Sequence, residues 1–189
     1  MAVVRLTSNH PRAAAGSGGV VDTLVQGALV ELFETYGVPL DPMPRASLRD
    51  AVTFHDVTAS IGFVREVREP ANRAGRLTIS MPSGVFELAN DDEIRAARRD
   101  DWMRELVNQL MGRIKNRLLQ FGATLQIGLP DNISPDSQEK PAASSTLLVY
   151  TGSTPQGEIL ITLDGMPDES ELSYVGREAV ALEGELLLF

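Results

Sequence analysis

Asp101, Glu105 and Asn108, in the stretch "DWMRELVNQL", stand at i, i+4 and i+7, a spacing that lines up two carboxylates and an amide on one stripe of a helix. A carboxylate at such a position accepts hydrogen bonds from a cationic group. An amide both donates to and accepts from a water molecule without any need of a matched pKa. Neither is a nucleophile, and no serine–histidine pair, cysteine or metal-ligand cluster accompanies them. The chain has no cysteine and two isolated histidines, His10 in the N-terminal lead-in and His55 before a strand. The stripe therefore suits positioning and docking chemistry, in which the reacting atoms come from elsewhere. The plain alternative for Glu105 and Asn108 is a solvent-facing polar helix side.

The element that must carry the stripe is a helix from about Asp100 to Gln120, closed by Phe121-Gly122. Trp102, Leu106, Leu110, Ile114 and Leu118 form its apolar side, widened by Met103, Val107 and Met111, with Trp102 as a packing anchor. Asp101, Glu105, Asn108, Gly112 and Lys115 then face outward. Asp101 near the helix start has a sufficient reason in the macrodipole. Gly112 has none, since a mid-helix glycine costs about 1 kcal/mol relative to alanine. It leaves bare backbone where another surface can approach.

Around that helix the chain alternates. Residues 1–19 read as a flexible lead-in ending in "AAAGSGG"; no P-loop lysine follows, so the glycines are linker. A first helix from Val20 places Val21, Leu24, Val25, Ala28, Leu29, Leu32 and Phe33 on one face and stops at Gly37. "PLDPMPRASL" reads as loop. "VTASIGFVREV" and "RLTISMP" read as two hairpin strands, and "SGVFELANDDEIRAARR" as a short helix or two. After the long helix come the strand "ATLQIGLP", a polar loop, and a hairpin of "TLLVY" and "EILITL" around a turn that explains Ser153 and Thr154. The tail, 166–189, is an extension in which "AVALEGELLLF" could add an edge strand. Helix followed by antiparallel strands thus occurs twice, in halves of about 70 residues. The expected fold is α/β of the α+β type: pseudo-duplicated halves, a mostly antiparallel sheet, and two long helices packed on it.

Composition bounds the function. Hydrophobic residues make up 43% of the 189, enough for one domain with a core, and no apolar run reaches membrane-spanning length. With no secretory signal pattern and no cysteine, a cytoplasmic location is expected. The net charge of −9 argues against nucleic acid. Between Arg95 and Arg117, however, seven basic residues stand against three acidic ones, a local +4 that suits an acidic protein partner.

The motif extends beyond the helix. Asp101, Glu105 and Asn108 are followed by Pro130, with 21 residues intervening, and "ELVNQLMGRIKNRL" carries the same frame. This pattern resembles the CheC/CheX/FliY phosphatases of bacterial chemotaxis, and "ALVELFETYGVPLDP" and "TASIGFV" are similar to the first half of CheX-like domains. The resemblance covers about residues 20–165. It implies hydrolysis of the phospho-aspartate of a CheY-like response regulator, whose receiver domain supplies its own Mg2+; this chain itself would bind no cofactor and no metal. Asn108 would orient the attacking water and Glu105 would pair with the partner's active-site lysine. Asp101 would be a secondary contact, and Pro130 would shape the chain beyond its strand. Arg104 and Lys115 would flank the stripe toward an acidic rim. The first helix has Glu31 and Glu34 but no matching asparagine, so a single, CheX-like site is expected, with Glu31 a solvated residue. The resemblance also allows a homodimer. The rival reading is a non-catalytic module that docks a receiver domain or another signalling protein.

Overall fold

The computed structural model describes residues 19–42, 54–66, 73–89, 99–133 and 147–176. The lead-in up to residue 18, the stretch "DDEIRAARR" as far as residue 98, the polar loop 134–146 and the tail "AVALEGELLLF" lie outside these residues.

Two helices form where apolar residues recur at helical spacing. Helix α1 (Val20–Thr35) buries Val21, Val25, Ala28, Leu29, Leu32 and Phe33, and α2 (Arg99–Leu119) buries the eight apolar residues from Trp102 to Leu118 expected to face inward. Both end in the same way. Gly37 (φ 67°) lets Val38 N–H donate to the Phe33 carbonyl, and Gly122 (φ 75°) lets Ala123 N–H donate to that of Leu118. Each is a Schellman stop, in which a glycine past the last turn turns the chain back onto a free carbonyl.

The strands are β1 (Asp41–Pro42), β2 (Val57–Arg65), β3 (Arg73–Met81), β4 (Leu125–Asn132), β5 (Leu148–Thr154) and β6 (Gly157–Asp164). They form one sheet in the order β1-β5-β6-β3-β2-β4, with every neighbouring pair antiparallel. Exchanging β1 with β4, β2 with β5 and β3 with β6 reverses this order and returns the same sheet. The expected duplication is therefore an approximate two-fold, whose central pair is β3–β6. Asp41 and Pro42, read from the sequence as loop, instead make a two-residue strand against Ser153 and Gly152. Two residues between prolines are too few to show a strand period.

Alternation in the strands sets the two faces of the sheet. Ala59, Ile61, Leu77, Ile79, Tyr150, Ile161 and Leu163 point to the helices and share one core with both of them. The opposite face carries short hydroxyls, among them Thr58, Ser60, Thr78, Ser80 and Thr162, and Thr58 donates to Ser80 Oγ at 2.9 Å. At the β4 edge the pairing jumps from Phe63↔Ile127 to Ile61↔Pro130, leaving Gly128 and Leu129 opposite Gly62. A Cβ on Gly128 would stand 3.1 Å from the Gly62 carbonyl oxygen, which accounts for glycine in this bulge.

After β6 the chain continues as a strap, residues 166–176, with a 3-10 turn at Glu169–Glu171. Ser173 and Val175 donate their N–H groups to the Phe121 and Gln120 carbonyls at the end of α2. Glu169 accepts from Val21 N–H at the start of α1, which has no capping side chain of its own. Glu171 meets the buried Arg65 of β2 in a two-bond pair, at 2.6 and 3.2 Å.

Candidate functional site: the outer face of α2

Burial of one side of α2 decides what its other side offers. Trp102 packs against Phe86 and Tyr36, with ring centroids 4.7 and 5.6 Å apart, as the expected anchor. With Trp102, Leu106 and Leu110 against the core, Asp101, Glu105 and Asn108 are all exposed, and Gly112 and Lys115 are half-buried on the same stripe.

The stripe is organised by short local bonds. Arg104 is paired with Asp101, three residues before it. Gln109 donates through Nε2 to a Glu105 carboxylate oxygen at 2.6 Å. Sequence reasoning did not single out Gln109, although its i+4 offset from Glu105 was a readable signal. The Asn108 side-chain amide makes no hydrogen bond with the described residues, leaving its donors and its acceptor open to solvent. Pro130 lies within edge strand β4, paired with Ile61, rather than beyond the strand as expected. An outer strand tolerates it because one row of its backbone groups needs no ladder partner.

The basic character of α2 is largely spent inside the molecule. Arg113 and Arg117 both reach Glu31 of α1, and Arg117 also donates to the Leu24 carbonyl at 3.2 Å. Glu31 is exposed, as expected from the sequence, and is in addition an ion-pair partner between the helices. Arg99 lies over the Phe86 ring at 5.8 Å. Arg95 and Arg98 lie outside the described residues. Of the segment's described bases, Lys115 has neither an ion pair nor an aromatic partner among the described residues. The local +4 therefore overstates the charge that α2 presents outward. The additional counter-charge is Glu31 of α1, 80 or so residues earlier, since the acids of the helix itself are already counted in the +4.

Chemically the face can hold a cation through Glu105 and orient a water or an oxygen through Asn108. Among the described residues no group of three histidines, aspartates or glutamates could hold a metal ion. No helix among them is long and apolar enough to cross a membrane.

No protein-family model and no curated protein matches this sequence. Solved structures do match. A CheC-like superfamily protein from Shewanella sp. PV-4 superposes with a TM-score of 0.60 at 21% identity, covering 78% of this chain and 98% of its own. CheX from Vibrio vulnificus gives 0.61 at 18%, covering 76% and 97%. CheX in a CheX–CheY–BeF3–Mg2+ complex from Borrelia burgdorferi gives 0.59 at 14%, covering 75% and 95%. At these identities the likeness is one of fold, and it spans nearly the whole of each relative. The helices and the six-stranded sheet are those of a chain with the CheC/CheX fold.

Proposed function

We propose that this protein is a CheX-like phosphatase that docks a phosphorylated CheY-like receiver domain through α2 and hydrolyses its phospho-aspartate. The observation that carries the reading is the unengaged Asn108 amide, exposed one turn beyond Glu105 on a helix of a CheX-like fold. Support for the partner comes from the Borrelia burgdorferi CheX, whose structure was solved with CheY, BeF3 and Mg2+. Beryllofluoride imitates an acyl phosphate, so that complex represents the kind of encounter proposed here.

Phosphoryl transfer is governed by positioning and electrostatics, with little covalent work for the catalyst. The receiver would bring the acyl phosphate, its Mg2+ and a lysine. Glu105, steadied by Gln109, would accept from that lysine and fix the docked pose. Asn108 would hold a water in line with the phosphorus. Asp101, engaged by Arg104, would serve as a secondary contact. The chain itself would need no cofactor.

The test is the decay of acetyl-phosphate-charged receiver domains, with and without the protein. Asn108→Ala should bind normally and lose about 100-fold of the acceleration, as expected for removing one oriented polar group. Glu105→Ala should weaken complex formation about tenfold. Tight binding with no acceleration by the wild-type protein would favour the non-catalytic docking module. Identical decay with and without the protein, across all receivers and with no binding, would sink both readings.

A further inference from the structure

Two glycines interrupt the long helices, Gly27 in α1 and Gly112 in α2, and only one has a reason among the described residues. A Cβ on Gly27 would stand 2.5 Å from Arg117 Nη1, so glycine there lets the guanidinium cross α1 to reach the Leu24 carbonyl. A Cβ on Gly112 would meet none of the described residues within 4 Å. Nor is Gly112 among the residues with positive φ, so its backbone is ordinary helix that any residue adopts. Glycine is, after proline, the poorest residue for a helix interior. Neither space nor dihedral angle calls for it here, and propensity opposes it.

Its place suggests the reason. Gly112 follows Asn108 by four residues on the outward stripe, and the next stripe residue is Lys115, which has no ion-pair partner among the described residues. We infer that Gly112 is the point of closest approach of the docked receiver domain, where the partner's surface rests directly on the α2 backbone. The inference builds on the docking face proposed above and extends it one turn toward the C-terminus. Missing side chains are how a protein lets another backbone come near. A methyl group added there would hold the partner off and draw Asn108 away from the phosphorus. Lys115, just beyond, faces a partner whose phosphorylated, carboxylate-rich site is anionic, so the charges agree.

The experiment compares Gly112→Ala, Gly112→Leu, Glu105→Ala and wild type for two quantities. One is the thermal midpoint. The other is the dissociation constant for receiver domains loaded with beryllofluoride and Mg2+, measured by isothermal titration calorimetry. Gly112→Ala should raise the midpoint by about 2–4 °C, since it relieves a helix penalty in open space. It should nevertheless weaken binding by about tenfold, with Gly112→Leu weaker still. A stabilised variant that binds worse is not what a structural glycine produces. If Gly112→Ala lowers the midpoint, or if both variants bind like wild type while Glu105→Ala loses binding, the inference about Gly112 is overturned and the docking face stands. If stable wild-type protein binds none of the receivers, the docking face itself is overturned, and this inference with it.

Discussion

At the scale of single residues, α2 separates groups already committed inside the chain from groups left open. Asp101 and Glu105 each have a partner within one turn, Arg104 and Gln109, while Asn108 has none among the described residues. This division favours Asn108 as the group that handles a transient species such as water. Gly27 offers a sharper check on how side chains cross between the helices. Alanine there should gain about 1 kcal/mol of helix propensity. It should also push Arg117 off the Leu24 carbonyl, and a charge-assisted hydrogen bond is worth about 2 kcal/mol. Gly27→Ala should therefore be less stable than wild type by about 1 kcal/mol in urea unfolding. In an Arg117→Ala background the same change should be stabilising, and that reversal isolates the contact between the two positions.

The strap is the informative element. It caps α1 with Glu169, takes up carbonyls at the end of α2, and meets Arg65 with Glu171, so it ties the ends of both helices to the sheet. Arg65 is buried, and a buried guanidinium deprived of its carboxylate is left uncompensated. The Arg65 hydrogen bonds are the main cause that holds the Glu171 carboxyl below its ordinary pKa, with the Asp168 N–H adding to them. A lowered folded-state pKa contributes stability above the unfolded value and loses it as pH falls through the folded one. Thermal midpoints should thus drop on acidification from the ordinary glutamate range downward. Glu171→Gln should remove that part of the acid dependence and cost about 2 kcal/mol at neutral pH. An unchanged acid limb in Glu171→Gln would mean that the strap contributes nothing through this pair.

At the scale of the whole molecule, the two-fold sheet puts β3 and β6 at the centre and β1 and β4 at the rims. The central strands are paired on both sides and packed under both helices, so their amides should exchange most slowly with deuterated solvent. Those of β1 and the outer row of β4 should exchange fastest. Uniform exchange across the sheet would contradict this order. The symmetry also shows how the halves have diverged. The outer face of α2 carries Glu105 and Asn108, whereas Glu31 of α1 is drawn into ion pairs with Arg113 and Arg117. Glu34 stands where a second asparagine would be required. One half presents the proposed docking face and the other helps to lock the helices together.

The amino-acid order alone determined the two helices, their glycine stops, both hairpins and the outward stripe on α2. Each of these depends on periodicity or on residues a few positions apart, and such signals survive without knowledge of the fold. Beyond the reach of local pattern lay the two-residue strand at Asp41–Pro42, the place of Pro130 inside the β4 ladder, and the inter-helix role of Glu31. These are settled by partners 69 or more residues away, brought close only when the sheet forms and the helices lie antiparallel on it. Gly27 and Gly112 look alike in sequence. The tertiary structure alone distinguished them, because only packing shows that one makes room for Arg117 and the other for nothing among the described residues.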